Sequence, residues 1–381
     1  MKILQYRPIL VLLCIYVIVV LYFQVRYTYV TGMISECDAI FKKRKELLPK
    51  EQLDKMIIGR PRPPGMPRRN SDLNSDISLN NDVDHGLKNR PIITLCTYFE
   101  TDYTIALEKV LVFNNTLYNW QTFIPLVYNN TLYNWQSFIP HVQLILFTKK
   151  NSSGKKVKFM NWNIFPILYY SDSGAPTIKA MFKQVKELYD TYWYGYFNGD
   201  ILLTEDILET LEYVSRVSDH FPNASIFIIG RRINVLNVTS EEVRKINGVK
   251  ESARSRGSLH DIYTEDYFIT NRFFSWDKIP EFVIGHAGYD NWIVGHARCD
   301  LGTIVIDATE TLTAVHQDTR KDKNKEVLAS TAARYNFELM QRLPRRFLQG
   351  LTTCAEWKTF RTLKTGRIEL IRVNSSTTII S

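Results

Sequence analysis

The strongest constraint on this chain is a succession of short apolar runs, each followed by turn residues and then by a helix-period segment. Residues 91–97, PIITLCT, are nearly continuous in apolar character, as a strand buried on both faces should be. VQLILFT (142–148) and FPILYY (165–170) repeat the pattern. Next comes SDSGAPTIKAMFKQVKELYDTY, with Pro176 placed where a first helical turn tolerates it. Its Ile178, Met181, Phe182, Val185 and Leu188 recur at helical spacing. WYGYF (193–197) reads as another strand. Glu205 and Asp206 then open a helix with Ile207, Leu208, Leu211 and Val214 on one face. SIFIIGRR (225–232) and TIVIDAT (303–309) complete the series, the latter as the last strand. Strands alternating with helices predict an α/β sheet with ligands at the C-terminal strand ends.

Ahead of this body stands a different kind of segment. Residues 9–23, ILVLLCIYVIVVLYF, carry no charge. They fall short of the roughly 20 residues that span an average bilayer, but thinner membranes accept shorter spans. No small-x-small cleavage pattern follows, so an uncleaved signal anchor is favoured over a cleavable signal peptide. Lys2 and Arg7 before the run, against Arg26 alone just after it, favour a cytoplasmic N-terminus. Counting on to the basic residues 42–45 reverses that balance. Residues 26–90 are rich in Pro, Arg, Asn, Asp and Ser and read as a flexible stem. The expected organisation is a tail at 1–8, an anchor at 9–25, the stem, and a body at 91–381. Asn114, Asn129, Asn151, Asn223, Asn237 and Asn374 each begin N-x-S/T, in keeping with a luminal body.

The formal net charge of +9 comes from scattered basic clusters. It suits a solvated surface and stem, or attraction to a phosphate-bearing donor or an acidic glycan. No nucleic-acid-binding module accompanies it, so no nucleic-acid partner is expected. The five cysteines form no C-x-x-C pair, which argues against a structural zinc site and a dense disulfide framework. A Cys299–Cys354 bridge suits an oxidising lumen. One tandem repeat is evident: VFNNTLYNWQTFIPL (112–126) recurs as VYNNTLYNWQSFIPH (127–141). Only the second copy runs directly into a strand, so the first reads as a local tandem duplication, or a gene-model error, that lengthens a helix or loop without functional meaning.

Three segments carry the chemistry. In YGYFNGDILLTEDI, an apolar strand ending in Asn198-Gly199-Asp200 delivers a carboxylate to the sheet edge beside a residue small enough to let a ligand approach. Such an aspartate can hold a divalent cation that neutralises a diphosphate, although Asn, Gly and Asp are also ordinary turn formers. Residues 260–298 gather Glu265, Asp266, His286, Asp290, Asn291, Trp292 and His296 among aromatics. A carboxylate framed by aromatic rings suits a sugar, whose ring stacks while an acid accepts a hydroxyl proton; an aromatic core with peripheral charge is the plainer reading. In VIDATETLTAVHQ, His316 lies well past a strand, where it could return as a metal ligand or serve the fold alone. No G-x-S-x-G, Walker or G-x-G-x-x-G motif occurs. A two-carboxylate glycoside hydrolase built on Asp266 and Asp290 would leave the Asn198-Gly199-Asp200 strand end unexplained.

Taken in order, PIITLCT, NTLYNWQSFIPHVQLILFT, YGYFNGDIL, FIIGRRINV, EDYFI, IPEFVIGHAGYDNW and VIDATETLTAVHQ resemble the nucleotide-diphospho-sugar transferase superfamily with the GT-A fold. The resemblance implies a Rossmann-type mixed sheet flanked by helices. It implies a glycosyltransferase of the Golgi or endoplasmic reticulum, single-pass and type II, moving a sugar from a nucleotide sugar to a glycan or glycoprotein. By this resemblance Asp200 matches the second acid of an Asp-x-Asp metal motif, and Asn198 departs from the first. His316 completes the shell of a Mn²⁺ or Mg²⁺ ion, and Asp290 is the general base with Asp266 its rival. Thr97, Asn198, Asp200 and Arg231 line the nucleotide sugar, with Arg232 beside Arg231 toward phosphate. A nucleotidyltransferase, or a catalytically silent glycan- or nucleotide-binding protein, is the alternative.

Overall fold

The computed structural model describes residues 91–99, 126–148, 157–159, 161–219, 221–284, 288–318 and 331–373. The apolar run at 9–23, the stem, His286 and nearly all of the first repeat copy lie outside them. Among the described residues no helix is long and apolar enough to cross a membrane.

A ten-stranded mixed sheet organises the molecule. Its parallel block runs β5 (Trp193–Phe197), β1 (Ile93–Tyr98), β2 (Val142–Thr148) and β4 (Trp162–Pro166), edged by antiparallel β3 (Val157–Phe159). On the other side of β5 lies β10 (Tyr267–Asn271), antiparallel both to β5 and to β7 (Ile226–Ile229). Beyond β7 come β11 (Ile304–Asp307) and β13 (Trp357–Arg361), parallel to it, and then β14 (Ile368–Arg372), antiparallel. A second sheet has the order β6 (Ile201–Leu203), β12 (Ala314–Asp318), β8 (Ile233–Leu236) and β9 (Ser258–Leu259).

Side chains alternate across the large sheet and feed two cores. From β1, Ile93 and Leu95 join a cluster with Leu132 and Trp135 of α1 (Leu126–Gln136) and with Ile207, Leu211 and Val214 of α3 (Asp206–Ser218). Cys96 and Tyr98 join the opposite cluster, with Ile178, Met181, Phe182 and Val185 of α2 (Ile178–Leu188) and Trp292, Ile293 and Ala297 of α6 (Tyr289–Cys299). Each strand of the central block is thus covered twice, which is why its sequence is apolar without alternation. Fully burying a side chain of this size contributes about 1.5–3 kcal/mol. Two short helices, α4 (Ser240–Arg244) and α5 (Gly248–Arg256), cover the small sheet, and α7 (Thr331–Gln341) follows β12.

Several boundaries differ from the sequence-based expectation. The third strand is 162–166 rather than 165–170, and beyond it Leu168 and Tyr169 are exposed. Asn163 conceals the true strand: its buried amide donates to the Leu144 carbonyl, so a polar residue sits inside the sheet. Pro176 precedes the N-cap Thr177, whose hydroxyl accepts from the Ala180 amide at 3.3 Å, and so lies just outside the first turn. The strand at 304–307 is not the last, since β12, β13 and β14 follow it. Cys299 is disulfide-bonded. Cys354 remains a thiol against the Leu348 carbonyl, so these two cysteines do not bridge each other.

A short 3₁₀ turn at 347–350 presses directly onto α6, and a second at 352–354 follows it. A Cβ placed on Gly350 would lie 1.7 Å from the Asn291 carbonyl oxygen. Gly350→Ala should therefore destabilise the fold by about 2 kcal/mol or more, the upper part of the overpacking range. Urea unfolding measures this, and an unchanged midpoint would show that the contact yields easily.

Candidate active site

The parallel block ends its strands on one edge, and Asp200 stands there. Strand β5 stops at Phe197, Asn198 to Asp200 make the turn, and β6 carries the chain into the small sheet. The β6 backbone is held by α1, in the second repeat copy. Asn134 exchanges two hydrogen bonds with Leu203, accepting from its amide at 2.7 Å and donating to its carbonyl at 3.1 Å. The Trp135 indole donates to the Ile201 carbonyl at 3.0 Å. Gly199 has a packing role that differs from the expected opening for a ligand. A Cβ there would come within 2.7 Å of the Phe99 ring, which stacks on Tyr128.

His316 is placed by β12, opposite Ile201 of β6 and Asn234 of β8. Its Nε2 lies 3.1 Å from Asp200 Oδ2, and the Gln317 amide donates to the Asp200 carbonyl at 3.1 Å. The Asp200 side chain is 34% exposed, yet its Oδ1 is covered and has no hydrogen-bond partner. Burial works to raise the Asp200 carboxyl. The hydrogen bond and charge of His316, aided by the Arg232 guanidinium, outweigh it and hold the group below its usual range.

Asn198 meets the second acid. Its backbone amide donates to the Asp266 carbonyl at 3.0 Å, and its Nδ2 donates to Asp266 Oδ1 at 2.9 Å. Its Oδ1 accepts from the Tyr196 hydroxyl at 3.0 Å. Arg232 Nη1 also donates to Asp266 Oδ1, at 2.5 Å, while its Nε donates to Asn234. Asp266 Oδ2 is buried without a partner.

Asp290 lies in the first turn of α6, where the helix dipole favours a negative charge. Its Oδ2 accepts from the Glu265 backbone amide at 3.1 Å, and its Oδ1 is buried and unpartnered. Burial pushes the Asp290 carboxyl up to about 7; the amides of Asn291 and Glu265 oppose the rise and the Asp266 charge adds to it. Beside it, burial and then the Asp290 charge push Glu265 well above the ordinary carboxylate range. Glu265 accepts from Asn291 Nδ2 at 2.7 Å and from the Thr352 hydroxyl at 3.2 Å.

The structure thus sets two groups at the sheet edge where β5 ends and β10 begins: Asp200 with His316, and Asn198 with Asp266, whose neighbour Glu265 donates its amide to Asp290. Thr97 lies near that edge: the pairing of Cys96 with Tyr196 sets Thr97 one residue short of Asn198, buried and with its hydroxyl unpartnered. Arg231 does not join the carboxylates. Its guanidinium donates to the His260 carbonyl and its amide donates to Thr309. The neighbouring Arg232 is the arginine that meets Asp266. Asn234, His260 and Thr352 are supporting residues that no motif announced. Among the described residues no three His, Cys, Asp or Glu side chains gather to hold a metal ion. Asp200 and His316 supply two donors. That set fits a cation shared with a substrate's phosphates better than one caged by protein alone.

No protein-family model matches the chain, and no curated protein matches it.

The raised carboxyl at Asp290 carries a stability signature. A carboxyl whose folded value exceeds its unfolded value near 3.8 contributes stability at low pH, and that contribution is lost as the pH climbs through about 7. Asp290→Asn removes the titration. Its melting temperature should match the wild type near pH 4 and exceed it by several degrees above pH 7, with an upper bound of about 4 kcal/mol. A difference that stays flat from pH 4 to 8 would show that Asp290 titrates as an ordinary carboxyl.

Proposed function

We propose that the protein is a glycosyltransferase of the nucleotide-diphospho-sugar type, with a GT-A-like arrangement, acting on a luminal glycan or glycoprotein. The observation that carries this reading is the contact of Asp200 with His316 on the edge where Asp266 and Asp290 converge. Asp266 and Asp290 are both more than nine-tenths buried, and each keeps one oxygen without a partner. Buried polar atoms are normally satisfied, so two such acceptors call for a ligand rich in hydroxyl donors.

Asp200 and His316 would hold the divalent cation, which, when bound, neutralises charge on the departing diphosphate. The chain's own groups do the remainder. Asp290, with a carboxyl near 7, can take a proton from an acceptor hydroxyl at neutral pH, as a general base in an inverting transfer requires. Arg232 sets positive charge between Asp266 and Asp200 and keeps the acids from repelling one another. The disulfide at Cys299 supports a body folded in an oxidising compartment, with residues 9–25 as the anchor.

Asn198 favours a second reading, a silent glycan- or nucleotide-binding protein. Both ends of its amide are engaged by Tyr196 and Asp266, so it acts as a brace and adds no charge for a cation. Calorimetry on the full-length protein with UDP and GDP, with and without Mn²⁺, separates the two. Metal-dependent binding with slow hydrolysis of a nucleotide sugar supports the transferase; glycan binding without nucleotide binding supports the silent protein. Asp200→Ala should weaken metal-dependent nucleotide binding at least about tenfold, the equivalent of about 1.4 kcal/mol. Its melting temperature should barely change, because the side chain is a third exposed. Loss of folding in this variant would make Asp200 structural instead.

A further inference from the structure

Three of the six N-x-S/T sequons have their asparagine among the described residues, and the fold treats them differently. Asn223 ends the turn before β7. It is exposed, its φ of 64° is left-handed, and its side chain makes no hydrogen bond among the described residues. Asn237 follows β8 in the same way, exposed at φ 51°, with only its backbone amide engaged, to the Asp318 carbonyl at 2.9 Å. Both sit on surface connections, where a bulky polar substituent meets solvent and displaces no packing.

Asn129 is the contrary case. It is half-buried inside α1, and the other two residues of its sequon belong to the core. Asn130 is 2% exposed and donates to Gln317 Oε1, while it accepts from the Ser240 hydroxyl at 2.7 Å. Thr131 is fully buried; its hydroxyl donates to the Val127 carbonyl and accepts from Gln317 Nε2. This sequon belongs to the helix that fastens β6 and β12.

We propose that Asn223 and Asn237 carry N-linked oligosaccharides and that Asn129 does not. The proposal rests on the luminal placement of the body but not on its catalytic activity. The reaction is a transfer from a polyprenyl-diphosphate oligosaccharide by the cell's own transferase. The side-chain amide nitrogen bonds to the anomeric carbon, the anomeric carbon–oxygen bond breaks, the diphosphate leaves with the electron pair, and the amide proton passes to a base of that enzyme.

The fold also says where these chains stand. Strand β7 runs parallel to β5, so the turn holding Asn223 lies on the sheet edge opposite Asp200. Asn237 lies at the exit of β8 in the small sheet, beside the end of β12 and beyond the strand position of His316. The glycan at Asn223 leaves the candidate active site open, and the one at Asn237 borders it.

The test expresses the full-length chain in a secretory cell line, releases glycans with an amidase in heavy-oxygen water, and maps the peptides by mass. Protease protection of the intact microsomes is measured alongside. The expected result is heavy aspartate at most copies of positions 223 and 237, none at 129, and loss of one mobility step in each of Asn223→Gln and Asn237→Gln. A protected body with either site unlabelled overturns the assignment while leaving the luminal reading intact. Label at Asn129 overturns the exclusion. A body digested without detergent and carrying no label overturns both the glycans and the luminal placement, whereas failure of nucleotide binding would touch neither.

Discussion

The candidate site depends on the antiparallel register between β5 and β10. In a sheet that is otherwise parallel around its centre, the start of β10 meets the end of β5, with Phe197 opposite Tyr267. The ladder continues one step further, from the Asn198 amide to the Asp266 carbonyl. An acid placed before β10 is thereby fixed next to the turn after β5, though the two are far apart in sequence. A parallel β10 would have put Asn271 at that edge and sent Asp266 to the opposite one. The Arg232–Asp266 pair and the Asn198 brace follow from this register.

Charge is distributed around that junction in two ways. Asp200 and Asp266 face a histidine and an arginine, and Asp200 stays a third exposed. Glu265 and Asp290 face amides, a hydroxyl and each other, and burial raises both. Four acids crowd one edge because two are paired with a histidine and an arginine and two are held toward the neutral form. An unpaired buried carboxylate would cost several kcal/mol. The arrangement leaves unpartnered oxygens on Asp200, Asp266 and Asp290, the atoms a hydroxylated or cationic ligand would meet.

Much of the frame was legible from the sequence. The runs at 91–97, 142–148 and 193–197 are strands within a residue or two, that at 225–232 holds the shorter strand 226–229, and Ile207, Leu211 and Val214 mark a helix face that is buried as expected. Legibility failed where polar atoms do structural work inside. Asn163 masks β4, and YFITN, with its polar Thr270 and Asn271, did not read as a central strand. The β13–β14 hairpin carries charges along an edge and so lacks an apolar run. At the site, the acids and His316 could be named because their residue types announce chemistry. That Arg232 meets Asp266 while Arg231 meets the His260 carbonyl is a matter of which way each residue faces, and composition does not record it. The support that Thr352 gives Glu265 is a long-range contact without a local signal.

The berth that α1 occupies is defined by Asn130, Thr131, Asn134 and Trp135, and each has an identical counterpart fifteen positions earlier in the first repeat copy: Asn115, Thr116, Asn119 and Trp120. These four side chains do not distinguish the copies, although Tyr128, stacked on Phe99, stands where the first copy has Phe113. Tether length does: residues 137–141 alone join α1 to β2, whereas the earlier copy would have to reach across residues 122–141. The second copy thus has the shorter tether, and closing the longer loop would cost the first about 1 kcal/mol more.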